Sequence, residues 1–198
     1  MAKRYIITLT AANRVGILAA LTTALDELGG DLREVSQTVV QKFFTLILAA
    51  DFPEHRDRQV IFDHIQDICR SFGVEVSLKD PTQETLQPEN GHEFERYFLT
   101  IEGNDEPGVL RQVTTRLASD EIDITDLFAT HHEEASSFIV AMELAVPTNV
   151  DIARFSAGLS ELGKSLDASV TLRHENDFEA ANDPRPVRSA AAVQSIPR

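Results

Sequence analysis

The sequence predicts an α+β protein made of two domains of one kind, each a four-stranded antiparallel sheet with both helices on one face. Three observations predict it: an internal duplication, the same alternation of strand and helix periodicities in each copy, and a polar Pro- and Gly-containing stretch between the copies. Sliding the sequence against itself by 92 positions aligns Tyr5 with Tyr97, Thr8 with Thr100, Gly16 with Gly108, Leu18 with Leu110, Leu25 with Leu117 and Asp31 with Asp123. After Val146 the best offset is 94, aligning Val76 with Val170 and Leu78 with Leu172, which predicts a two-residue insertion in a loop of the second copy. Two long copies are not a short-period solenoid; they read as two similar domains.

Each copy follows one order. "YIITLT" (5–10) is rich in strand formers, and Ile17, Leu18, Leu21, Leu25 and Leu28 then keep helical spacing up to Gly29 and Gly30, a C-terminal stop. "LREVSQTVV" and "FFTLILAAD" are apolar runs joined by the short "QK", a hairpin signal. Ile61, Ile65, Ile68 and Phe72 give a second helical stripe, and "VEVSL" (74–78) alternates with period two. The second copy repeats this with "RYFLTI", a helix carrying Val109, Leu110, Val113 and Leu117, "ITDLFATHH", "SSFIVAMEL", a helix carrying Ile152, Phe155, Leu159, Leu162 and Leu166, and "ASVTLR". That last helix is expected to open on a capping box from Thr148 to Asp151. The order βαββαβ, twice, is the split-βαβ or ferredoxin-like arrangement. The expected organisation is a first domain over 1–79, a linker over 80–95, a second domain over 96–174 and a disordered tail over 175–198, where periodicity gives way to Pro, Ala and Ser.

Bulk properties narrow the function. A chain of 198 residues that is 42% hydrophobic can bury a core, and no apolar run approaches the roughly 20 residues that span a bilayer. The opening residues lack a signal-peptide stretch, so a cytoplasmic protein is expected. The formal net charge of −14, with no basic stripe, argues against direct nucleic-acid binding. Cys69 is the single cysteine and lies on a predicted apolar stripe, which rules out an internal disulfide and a cysteine zinc cluster. His131, His132, Glu133 and Glu134 are adjacent near a hairpin turn; neighbours on a strand point to opposite faces, so no metal site is expected there. None of the common nucleophile, phosphate-loop or metalloprotease motifs is present, and neither cofactor nor catalytic residue is assigned.

The corner between first strand and first helix carries the functional expectation. "NRVGIL" and "NDEPGVL" occupy it in the two copies, with the glycine expected in the first helical turn and Pro107 at its first position. Leading helix amides have no partner within the helix, a glycine lets a ligand approach them, and the helix dipole adds partial positive charge, so a small carboxylate suits the site. Asp105 and Asn104 are placed to meet an ammonium. Pro and Gly at such a turn are also ordinary construction.

The stretches "ANRVGILAALTTALDELGGDL" (12–32) and "NDEPGVLRQVTTRLASDEIDI" (104–124) resemble the opening of ACT domains, and the resemblance runs through both halves to about residue 174. Two such domains with no catalytic domain attached most resemble the glycine cleavage system transcriptional repressor group. The resemblance implies a non-enzymatic regulatory protein that binds an amino-acid-like metabolite at a domain interface and modulates a partner enzyme or transcription regulator. Exposed sheet edges separately invite a homodimer, unless the internal duplication already satisfies them. It assigns ligand contact to Asn13, Arg14, Gly16, Ile17, Leu18 and Asp31, and to Asp105, Glu106, Gly108, Val109, Leu110 and Asp123. The chain departs from the family pattern at Val15, where proline is usual, at Glu106, where arginine is usual, and at "SDEIDI", which lacks the helix-ending glycine. Asp31 and Asp123 stand where the family has asparagine, a change that favours an amine over a carboxylate nearby. The alternative is a ligand-independent interaction module or regulatory subunit of a metabolic enzyme.

Overall fold

The computed structural model describes residues 2–83, 93–104, 107–132 and 136–179. The chain divides into two compact units, Met1–Pro88 and Glu89–Arg198. In the first, β1 (Ala2–Ala12), α1 (Ile17–Glu27), β2 (Asp31–Val40), β3 (Phe43–Pro53), α2 (Arg58–Ile68) and β4 (Glu75–Lys79) follow in the predicted order. The second runs β5 (Phe94–Asn104), α3 (Val109–Ser119), β6 (Asp123–His132), β7 (Ser137–Pro147), α4 (Ile152–Ser165) and β8 (Ala168–His174). Each unit forms one antiparallel sheet, with strand orders β2-β3-β1-β4 and β6-β7-β5-β8. These are two ferredoxin-like βαββαβ folds.

Strand alternation selects the core. Tyr5, Ile7 and Leu9 on β1 and Phe44, Leu46, Leu48 and Phe52 on β3 face the helices and are buried. They meet Ile17, Leu21 and Leu25 of α1 and Ile61 and Ile65 of α2, the stripe that the 3.6-residue spacing marks out. In the second unit Leu99, Ile101, Met142 and Leu144 meet Val109, Val113, Leu117, Phe155 and Leu159. Burying each such side chain contributes about 1.5–3 kcal/mol relative to exposure. Cys69 is fully buried in the first core, and desolvation pushes its thiol upward from the ordinary range.

Several local expectations need correction. The two-residue insertion lies in the β6–β7 turn, not after Val146. β2 and β3 are joined by Gln41 and Lys42, whereas 133–136 separate β6 from β7, so the offset is already 94 from Ser137 onward. Helix α4 is capped by Asp151, whose carboxylate accepts the Arg154 N–H at 3.1 Å; Thr148 lies outside the helix and gives its N–H to Glu93 O. The cap is a single acceptor with no Glu or Gln at the third helical position, so no reciprocal box forms. The linker is shorter than the expected 80–95, since Phe94 and Glu95 already belong to β5, and at its start buried Asp80 accepts from Thr82 Oγ1 (2.6 Å) and pairs with Lys3 Nζ (2.9 Å). Residues 84–92 and the tail from 180 lie outside the described residues, while Asn176–Glu179, within the expected tail, form a single helical turn, α5.

Candidate functional site

The glycines of the two turns are dictated by the backbone. Gly16 has φ 102° and ψ −12°, and Gly108 has φ 93° and ψ 4°, conformations that a Cβ disfavours. Each sits immediately before its helix, with Gly16 O accepting from Ala20 N (2.9 Å) and Gly108 O from Gln112 N (3.0 Å). The glycine is thus the helix N-cap and not a first-turn residue, and Pro107 lies one place before the cap. Position N1 is taken by Ile17 and Val109. Neither glycine has a side chain to cap its own helix, which leaves the leading N–H groups to an external acceptor.

What stands beside the two turns differs. The Phe72 ring stands beside Gly16: its Cζ is 3.3 Å from the point a Cβ would occupy. At Gly108 no described residue lies within 4 Å of that point. A cleft of about 380 Å³ opens there, walled by Pro107–Leu110 on the turn, Ala129, Thr130 and His131 on β6, and Phe138 and Val140 on β7. Its origin is the topology. β6 is an edge strand, and Ala129 and His131 pair with Val140 and Phe138, whose side chains lie on the helix side of the sheet. Leu127, on the same face, is 43% exposed because the helices cover the central strands and leave this edge bare. The cleft therefore has uncapped amides at one end and mainly apolar walls. A small carboxylate fits the first and an aliphatic or aromatic group the second.

The predicted residues separate accordingly. Ile17 and Val109 are buried, 1% and 3% exposed, and offer a ligand only backbone. Leu18 and Leu110 project at the surface one residue later. Asn13 and Arg14 are exposed, and the Asn13 N–H is taken by Lys42 O at 2.8 Å. Asn104, considered for an ammonium, donates its amide to Asp167 Oδ2 at 2.8 Å. Asp105 and Glu106 lie outside the described residues.

Asp31 and Asp123 do not join the glycine turns of their own units. Asp31 pairs across the sheet with Asp51, whereas Ala12, which leads into the first turn, pairs with Phe43 at the other end of β3. Eight strand steps at about 3.4 Å separate those ends by roughly 27 Å. Asp123, opposite Ala145, stands equally far from Asn104, opposite Ser137. Each aspartate opens the strand that follows the first helix, and that helix has carried the chain back across the sheet. Asp31 is instead held by Arg33 Nη2 at 2.9 Å, and Asp123 accepts the N–H of Ile124. Arg33 belongs to a larger cluster: Arg4 donates to both oxygens of Asp51 (2.7 and 2.9 Å) and Arg33 Nε to Oδ2 (2.7 Å). The two guanidiniums lower the Asp51 carboxyl from 3.8 to about 2. The equivalent positions of the second unit are Ala145 and Thr125, which cannot form the cluster.

Ala129, His131, Phe138 and Val140 were not assigned to the site from sequence. Strand alternation gives their face, but only the course of the helices shows that this part of the face is open. Among the described residues, no group of three or more His, Cys, Asp or Glu side chains is placed to hold a metal ion, and no helix is long and apolar enough to cross a membrane.

Two βαββαβ units, each with a glycine-capped helix after its first strand, define a tandem ferredoxin-like α+β protein. Residues 3–79 match the ACT domain model. The UPF0237 protein of Methanosarcina acetivorans is 36% identical over 77 residues, which are 38% of this chain and 84% of that protein. The chain belongs to the ACT-domain family. A crystal structure of a protein of unknown function from Galdieria sulphuraria superposes with TM-score 0.74 at 17% identity, over 88% of this chain and 99% of that one. That of a candidate glycine cleavage system transcriptional repressor does so with TM-score 0.62 at 15% identity, over 88% and 98%. Both share the fold across the two units, including the second, which lies beyond the family-model match.

Proposed function

We propose that this chain is a non-enzymatic regulatory protein whose second unit binds a small amino-acid-like metabolite at the Gly108 turn and thereby modulates a partner enzyme or transcription regulator. The observation that carries the reading is the cleft of about 380 Å³ against an uncapped helix start. The ligand carboxylate rests on the amides of Val109 and Leu110, and its side chain lies against Phe138 and Val140. Binding acts by population shift: the conformation that presents this cleft is favoured in proportion to the ligand's preference for it. The solved repressor-like structure with the same two-unit fold supports a transcriptional output.

Thermal-shift screening of the common amino acids tests the reading. A ligand present at one hundred times its dissociation constant adds about 2.7 kcal/mol of stability. Gly108→Val is a poor probe, because φ 93° penalises a β-branched residue whatever the ligand does. Ala129→Phe is the better one: Ala129 is an exposed strand residue on the cleft wall, and a phenyl ring there fills the space without backbone strain. The expected result is that Ala129→Phe melts like the wild type alone but loses the ligand-induced shift. If no amino acid or related metabolite shifts the wild type, the sensing role is refuted and an interaction module acting through its sheet edges becomes the better reading.

A further inference from the structure

The duplication makes each unit a template for the other, and one matched site differs between them. In the first unit Asp51 pairs with Arg4 on one side and Asp31 on the other, and Arg33 stands at the register shift of β2. Arg33 Nε donates to Asp51 Oδ2 (2.7 Å), and its Nη2 lies 2.9 Å from Asp31. The second unit repeats this frame: Ala145 pairs with Arg96 and Asp123, and Thr125 stands at the register shift of β6. Asp51 has thus become alanine and Arg33 threonine. The space those two side chains fill in the first unit is open in the second, where a pocket of about 260 Å³ lies against Glu95, Arg96, Thr125, Glu143, Ala145 and Glu175.

The charge around that space has changed in one direction. At the positions of Lys3 and Ala49 the second unit has Glu95 and Glu143, and the arginine of β2 is gone. With Glu175, three carboxylates now line a pocket that holds one guanidinium, Arg96. Arg4 grips Asp51 through two nitrogens at 2.7 and 2.9 Å, whereas Arg96 Nε is 3.2 Å from Glu143 and 3.8 Å from Glu175. Its contact with Glu143 and that of Thr125 Oγ1 (3.2 Å) both fall on Oε1. We infer that this pocket binds a guanidinium group from outside the unit. The group shares Glu143 with Arg96 as Arg33 shares Asp51 with Arg4, and Glu95 and Glu175 supply the remaining negative charge. A planar guanidinium meets two carboxylate oxygens at once, which a compact ammonium does not. Ligation of a guanidinium at the same strand positions of the first unit is what separates this site from a chance gathering of acids. The group can arrive on a free small molecule or on Arg185 or Arg188 of the same chain. The pocket lies at the end of the sheet away from the Gly108 turn and does not depend on ligand binding there.

Calorimetric titration of the full chain with agmatine, beside its neutral urea analogue carbamoylputrescine, tests the inference at low ionic strength, where exposed charges are least screened. Agmatine is expected to bind saturably and about ten-fold more tightly than the urea, and Glu143→Gln should weaken it about ten-fold. Thr125→Arg, at an exposed position, supplies the group from within and should abolish agmatine binding. Ala129→Phe, in the Gly108 cleft, should leave it unchanged. The double variant Arg185→Ser, Arg188→Ser distinguishes the sources: agmatine binds it more tightly than the wild type if the chain's own arginines occupy the pocket, and equally if a free molecule does. Either result requires a pocket that accepts a guanidinium. Absence of agmatine binding to both the wild type and that double variant overturns the inference. So does equal binding of the urea, or undiminished binding to Thr125→Arg.

Discussion

Glutamate at position 121 is held in a conformation that suits glycine, and relieving it should stabilise the second unit. Helices α1 and α3 end in the same hydrogen-bonded closure. After α1, Gly29 N–H reaches Asp26 O (2.9 Å) and Gly30 N–H reaches Leu25 O (2.8 Å); after α3, Glu121 N–H reaches Ala118 O (3.2 Å) and Ile122 N–H reaches Leu117 O (3.0 Å). Both closures place one residue in the left-handed region, Gly29 at φ 71° and Glu121 at φ 56°. A side chain there costs about 1–2 kcal/mol. Replacing it with glycine recovers that but loosens the unfolded chain by about 0.4–1 kcal/mol, so Glu121→Gly should stabilise by about 0.5–1 kcal/mol. The reciprocal Gly29→Glu should cost a similar amount. A Cβ at Gly29 would meet the Pro53 ring at ordinary distances, 3.5 Å to Cγ and 3.8 Å to Cδ, so no clash adds to the backbone term. For a domain of this size a 1 kcal/mol change moves the melting temperature by about 4–8 °C. Urea and thermal unfolding of both variants measure it. A Glu121→Gly chain no more stable than the wild type, or an unaffected Gly29→Glu, would refute the reasoning.

The Arg4–Asp51–Arg33 cluster makes the first unit acid-sensitive. The Asp51 carboxyl ionises at about 2 when folded against 3.8 ordinarily, so the folded chain holds a proton there less readily than the unfolded one. Its stabilisation is complete above about pH 4 and is lost as pH falls through about 2, and Asp51→Asn should flatten stability against pH across that window in urea unfolding. Ligand stoichiometry is the other prediction: because the Phe72 ring stands beside Gly16 while no described residue comes within 4 Å of the corresponding point at Gly108, calorimetric titration should give one site per chain. Two equivalent sites would contradict it.

The order of strands and helices was legible because each element repeats its apolar residues with its own period, 3.6 or 2, and because the repeat supplied each pattern twice. The Gln41–Lys42 hairpin was legible for the same reason. The cap of α4 was misplaced because Thr148 and Asp151 are both competent acceptors, and only the helix start at Ile152 decides between them. Asp31 and Asp123 were grouped with the glycine turns on a family pattern in which one ligand can draw on two domains. The register places them at the far end of their own sheets, a consequence of the return path of α1 and α3. The cleft wall was illegible for a different reason: Ala129 and Phe138 follow the same alternation as core residues, and what separates them from core is the reach of the helices over the edge strand.

The shared glycine is itself a weak guide to binding. Gly16 and Gly108 adopt nearly the same torsions, so the fold requires glycine at both turns whether or not a ligand ever arrives. A sequence pattern built on that glycine reports a backbone constraint first. The copies differ at residues the pattern leaves free: Phe72 stands beside one turn, a cleft opens beside the other, and one sheet has an ion-paired Asp51 where the other has Ala145. Once the helix start is built twice, one copy can lose the space beside its turn without losing the fold. The neighbours of the turn therefore decide which copy senses, and Ala129→Phe against Phe138 and Val140 is the substitution that puts that decision to the test.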